Sequence, residues 1–107
     1  MSDNPLTDAR YFDDLLEDLL CALLKFSVIP GQRSWSSVKK IELLKWKLYD
    51  ELNEHTVLNV RIMHRFAKLY FYARVRASLD TGFPESIFPE TCPWRIPDIL
   101  DVNIYQI

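Results

Sequence analysis

Between Phe12 and Phe26 the chain places Phe12, Leu15, Leu16, Leu19, Leu20, Leu23, Leu24 and Phe26 at three- and four-residue intervals, with Asp13, Asp14, Glu17 and Asp18 opposing them. A helix gathers such a pattern onto one apolar face and its acids onto another. The adjacent pairs 15/16, 19/20 and 23/24 widen that face well beyond a narrow seam, so one neighbouring element cannot cover it. Three helices of this size need not cover all of it. At 107 residues, folding hides roughly 65% of the unfolded surface, which allows one modest core. Two glycines and 49% hydrophobic residues suit packed helices better than a glycine-turn-rich β protein or a disordered chain.

The remaining segments read as further helices followed by a wrap. The first helix is expected over residues 6–29, starting near Asn4-Pro5 or Thr7-Asp8 and ending at Pro30-Gly31. A second, capped by Ser34 or Ser36, is expected over 36–53. Val38, Ile41, Leu44, Leu48 and Leu52 form its buried face, widened by Leu43, Trp46 and Tyr49. A third, over 57–80, buries Ile62, Phe66, Leu69, Tyr70, Ala73 and Ala77 and stops where Gly82 can take the left-handed conformation. Residues 81–97 are too apolar for a loose tail and too rich in proline for a helix: Phe83, Ile87, Phe88 and Trp94 need a dry surface, and Pro84, Pro89, Pro93 and Pro97 keep the backbone extended or turning. Gly82, Phe83, Phe88, Cys92 and Trp94 are therefore expected to form a structural wrap over the helices. Phe88→Ala and Trp94→Ala should each cost about 3 kcal/mol or more, and Cys92→Ser less. A last turn of helix is expected at 97–101. The expectation is one all-α domain over 1–107, bundle-like, with three main helices.

Charge runs in blocks: −5 over residues 1–20, +5 over 21–49, −3 over 50–59, +5 over 60–79 and −4 over 80–107. Such alternation suits segments that neutralise one another within a fold. The apolar run from Leu15 to Ile29 is interrupted by Glu17, Asp18 and Lys25, so no membrane span is expected. Two cysteines make a poor disulfide framework and no secretory leader is visible, which together predict a cytoplasmic protein.

From Ala73-Arg74-Val75-Arg76-Ala77 through Thr81-Gly82-Phe83-Pro84 to Phe88-Pro89-Glu90-Thr91-Cys92-Pro93-Trp94, the chain resembles the family called domain of unknown function 29. Ile99-Leu100-Asp101 is similar to the family's short closing helix. Upstream, Leu23-Leu24-Lys25-Phe26, Pro30 and Arg33-Ser34-Trp35 are similar to its leucine-leucine-lysine segment, its proline and the arginine-serine-tryptophan that begins the next helix. The resemblance covers residues 15–101 and implies a helical fold with an unassigned role and no catalytic residues. Members usually carry an additional acidic and aromatic amino-terminal segment, of which this chain has only a few residues. A histidine frequent in the family is Ala22 here.

Candidate chemistry is sparse. Cys92 lacks a visible base to activate it and reads as a packed thiol. His55 and His64 lack partners at metal-ligand spacing, and Asp13, Asp14, Glu17 and Asp18 read as a solvated face. No enzyme, metal or cofactor is expected. Arg61, Arg65, Lys68, Tyr72 and Arg76 form one cationic stripe along the third helix, with Lys39, Lys40, Lys45 and Lys47 on the second. This surface suits either a nucleic-acid backbone or the chain's own acids. Phe12, Leu16, Leu20 and Leu24 form a strip that either stays open for a second copy or another protein, or is covered by the tail. The sequence thus predicts a non-enzymatic protein-interaction or oligomerisation module. The alternative is a nucleic-acid-associated regulator or an antitoxin-like partner.

Overall fold

A computed structural model of the chain describes the backbone of residues 5–54, 58–95 and 98–99, and the side chains of 10–53, 64–95 and 98–99. Three long helices carry the fold: α1 (Pro5–Val28), α2 (Trp35–Glu54) and α3 (Leu58–Thr81). Short 3₁₀ turns follow at Pro30–Gln32 and Glu85–Ile87. Among the described residues there is no strand. The protein is an all-α, three-helix bundle-like domain.

α1 is the hub, packed against both α2 and α3, while α2 and α3 touch each other only slightly. This follows from the leucine pairs. Phe12, Leu16, Leu20 and Leu24 are all buried, and so are Leu15, Leu19 and Leu23 beside them. α2 contributes Ile41, Leu44, Leu48 and Leu52 to the shared core, α3 contributes Leu69, Tyr70, Ala73 and Ala77, and the tail adds Phe88 and Ile99. The wide arc that needed more than one neighbour receives three.

Local signals set the boundaries. Pro30 opens a 3₁₀ turn after α1, and Arg33 reaches back to satisfy two carbonyls that α1 leaves open. Its Nε donates to the Phe26 carbonyl at 2.8 Å and its second amino group to that of Ser27 at 3.3 Å. The Ser34 hydroxyl accepts from the Ser37 backbone N–H at 3.1 Å, an N-cap for α2. At the end of α3, Gly82 adopts φ +77, where any other residue would be strained.

Beyond Gly82 the chain turns back over the bundle. Ser78 Oγ donates to the Phe83 carbonyl at 2.6 Å, and the Tyr70 hydroxyl donates to that of Pro89 at 2.6 Å. Phe88 is buried, with Cys92 and Trp94 packed against the core from its edge. Two aromatics expected in this wrap behave differently. Phe83 is 47% exposed and contributes little packing, and Trp94 is only partly buried. The turn that buries Phe88 carries Phe83 outward. Of the expected closing turn at 97–101, the backbone at Asp98 and Ile99 is helical, and the Ile99 N–H reaches the Arg95 carbonyl at 3.2 Å. The rest of that turn lies outside the described residues.

Candidate functional site

The three surfaces singled out from the sequence fare differently once folded. The strip Phe12, Leu16, Leu20, Leu24 is not an exposed interface: all four side chains are sealed inside their own chain, because α2, α3 and Phe88 close over them. This corrects the expectation of an open leucine face.

Two cations of the α3 stripe, Arg65 and Arg76, are paired within the fold, while Lys68 and Tyr72 stay exposed. Arg65 Nε lies 2.8 Å from Asp13 Oδ2, an ion pair with poorly aligned N–H geometry at a nearly buried carboxylate. Arg76 donates to Asp18 and, at 2.9 Å, to Glu17. These hydrogen bonds raise its guanidinium further above an already high range, Asp18 first and Glu17 second. Lys68 sits over the ring of Tyr72 at 5.9 Å. Arg61 lies outside the residues whose side chains are described. The acids of α1 were read as a solvated face, yet Asp13, Glu17 and Asp18 face α3. The alternating charge blocks meet as intramolecular pairs there.

Neither cysteine is poised for chemistry. Burial pushes the Cys92 thiol up to about 11, relieved a little by a hydrogen bond from the Trp94 backbone. Burial also raises Cys21, whose Sγ lies 3.8 Å from Asp80 Oδ2 while Lys25 pairs with that carboxylate at 3.2 Å. A thiol held protonated at neutral pH is a weak nucleophile. Tyr70 is likewise pushed up to about 12, chiefly by burial. All three shifts carry the same linkage sign. Well below pH 9 a thiol is protonated in both folded and unfolded chains. Between about 9 and about 11 the unfolded Cys92 ionises first, so stability falls as pH rises. The urea midpoint is therefore expected to fall across that window, and less steeply in Cys92→Ser. A flat midpoint in the wild type would contradict the burial of these groups.

Among the described residues, no three of His, Cys, Asp and Glu gather as a metal site. His64 is exposed on α3, and His55 lies outside the described residues. Between α1 and α2 a cleft of about 150 Å³ is lined by Ala22, Lys25, Gln32, Ser36, Ser37 and Lys40. It offers ammonium, hydroxyl and amide groups, with no carboxylate or imidazole in its lining. No helix among the described residues is long and apolar enough to cross a membrane.

The surface that the sequence reading missed is the outer side of α2. Trp46, Tyr49 and Leu43 were expected to widen the buried face, but all three are exposed, Trp46 by 64%, and so is Trp35 by 65%. The reason is angular. At 100° per residue Trp46 stands about 200° from the buried Leu44, and Leu43 and Tyr49 each stand about 100° from a core leucine. Trp35, Lys39, Leu43, Trp46 and Tyr49 share the side turned away from α1. Lys39 lies 5.8 Å over the Trp35 ring, and the Trp46 and Tyr49 rings meet edge to face at 6.2 Å. The signal was already present in the helical angles of these four large apolar residues, which span an arc separate from the core.

No curated protein and no solved structure matches the chain. One family model does, over residues 6–105, a span that takes in the helices, the Ser34 cap, the Gly82 stop and the aromatic wrap. The chain belongs to the family described as Domain of unknown function DUF29.

Proposed function

We propose that this chain is a non-enzymatic protein-interaction module of the cytoplasm, and that its contact surface is the outward face of α2. The observation that carries this reading is the exposure of Trp35, Leu43, Trp46 and Tyr49 on one side of one helix. Scattered apolar residues on a surface need no explanation, but two indoles, a phenol and a leucine in a single stripe are the composition of an interface centre. The rigid backbone beneath them adds to the case, since Ile41, Leu44 and Leu48 on the opposite side anchor α2 in the core. The raised Cys92 thiol, which is a weak nucleophile at neutral pH, favours binding over catalysis at that residue. Nucleic-acid binding through the α3 stripe is less favoured, because Arg65 and Arg76 are engaged by Asp13, Glu17 and Asp18.

A photo-crosslinking residue placed at position 46 tests the reading in living cells. It is expected to give a discrete adduct band, whereas the same residue at position 90, on the exposed Glu90 of the wrap, gives none. Absence of any adduct at position 46 would overturn it.

A further inference from the structure

The charge order of α2 identifies an occupant for this face. The helix has no acid in its first turn and no base in its last. Residues 35–47 carry Lys39, Lys40, Lys45 and Lys47 against the single acid Glu42, which pairs with Lys45 at 3.6 Å, and residues 48–54 carry only acids, Asp50, Glu51 and Glu54. That order runs against the helix's own dipole, which favours acids at the amino end and bases at the carboxyl end. A helix lying antiparallel across it reverses both the dipole and the charge order. α2 itself is a helix of that kind.

Resting on the reading of α2 as the contact face, we propose that its partner is a second copy of this chain, docked antiparallel, α2 against α2, about a two-fold axis passing between Leu44 and Lys45. That axis brings residue i opposite residue 89 − i of the second copy. Lys39 then faces Asp50, and Leu43 faces Trp46. Each contact occurs twice by symmetry, as an isologous interface requires. Lys39 and Asp50 also lie on the same side of the helix, about 20° apart in angle, so the register meets with the side chains where they stand. Leu43 and Trp46 meet at the centre and Lys39 and Asp50 pair on either side of it, while Trp35 falls level with Glu54 and Tyr49 level with Lys40 of the second copy. Lys39 already lies over Trp35, so its ammonium can hold that ring and the facing carboxylate together. A shift of one residue either way would set Lys47 or Lys45 of the second copy level with Leu43, so the central apolar contact favours this register. An interface built from one helix per copy is small by the standard of stable dimers, so the pairing is concentration-dependent.

Sedimentation velocity over a concentration series tests this with charge exchanges at exposed positions. The wild type is expected to move from one chain to two as concentration rises. Lys39→Glu and Asp50→Lys should each weaken the pairing at least tenfold, while circular dichroism remains that of the folded wild type. The double variant Lys39→Glu/Asp50→Lys should recover it, and an equimolar mixture of the two single variants should recover it as a mixed pair. A wild type that stays a single chain at several hundred micromolar overturns the proposal, as does Lys39→Glu pairing undiminished or a mixture that fails to recover. The crosslinking experiment separates this failure from failure of the contact face itself. An adduct at position 46 with a different protein and none with the mass of two chains leaves the face standing and removes the second copy. No adduct at all removes both.

Discussion

Phe88→Ala is expected to destabilise the domain by about 3–5 kcal/mol, the range for truncating a buried phenylalanine. At 2% exposure it is the aromatic that the wrap drives fully into the core, where it joins leucines from α1 and the small Ala73 and Ala77 of α3. Among the described residues the wrap pairs with no strand, its prolines donate nothing, and its backbone bonds are those of the short Glu85–Ile87 turn. It is also fastened, among the described residues, by Tyr70 to the Pro89 carbonyl, by Ser78 to the Phe83 carbonyl, by the Phe83 N–H to the Thr81 hydroxyl, and by the partly buried Cys92 and Trp94. Removing the ring therefore opens a cavity and loosens the segment that would otherwise collapse to fill it. For a domain of this size the melting temperature should drop by roughly 12 °C or more. Phe83→Ala should change stability by no more than about 0.5 kcal/mol, the usual result for an exposed side chain, and Trp94→Ala should fall between the two. Thermal and urea unfolding of the three variants checks the order. Phe88→Ala unfolding like the wild type would mean that the wrap is not part of the core.

Boundaries were legible in the sequence because each rests on one residue's local chemistry. Gly82 takes the positive φ that ends α3, Ser34 caps α2, and proline follows α1 at Pro30. The core face of α1 was legible too, since its leucine pairs leave no other surface to bury. Which neighbours close over that face was not legible, because the answer depends on contacts between elements distant in sequence. Arg76 reaches Glu17 across 59 residues, and nothing local distinguishes that partner from water or a phosphate. α2 shows a second limit. Apolar residues occupy two arcs of this helix, and hydrophobicity alone does not say which one a fold will choose. Leu44 and Leu48 win because they lie with Ile41 and Leu52 against α1, and the bulkier indoles are left outside. The split between Phe83 and Phe88 has the same origin: the Glu85–Ile87 turn decides which ring points inward.

Leu20→Ala is expected to cost about 2–5 kcal/mol and to leave the association state of the folded protein unchanged. Leu20 is fully enclosed at the centre of α1, packed in the cluster that joins all three helices to the tail, so little can move in to fill the space left by its side chain. Trp46→Ala is its mirror image. Removing a ring that is 64% exposed should leave the unfolding of the single chain within about 0.5 kcal/mol while abolishing association through α2. Both variants need to be unfolded at concentrations below the pairing range, because a dimer is stabilised by mass action and its melting temperature would report association as well as packing. Had the leucine strip been the contact surface and the indoles part of the core, the two outcomes would exchange places. Loss of association in folded Leu20→Ala would return the interface to α1. A large loss of stability in Trp46→Ala would mean that the outward face of α2 is covered within the chain and is not open to a partner.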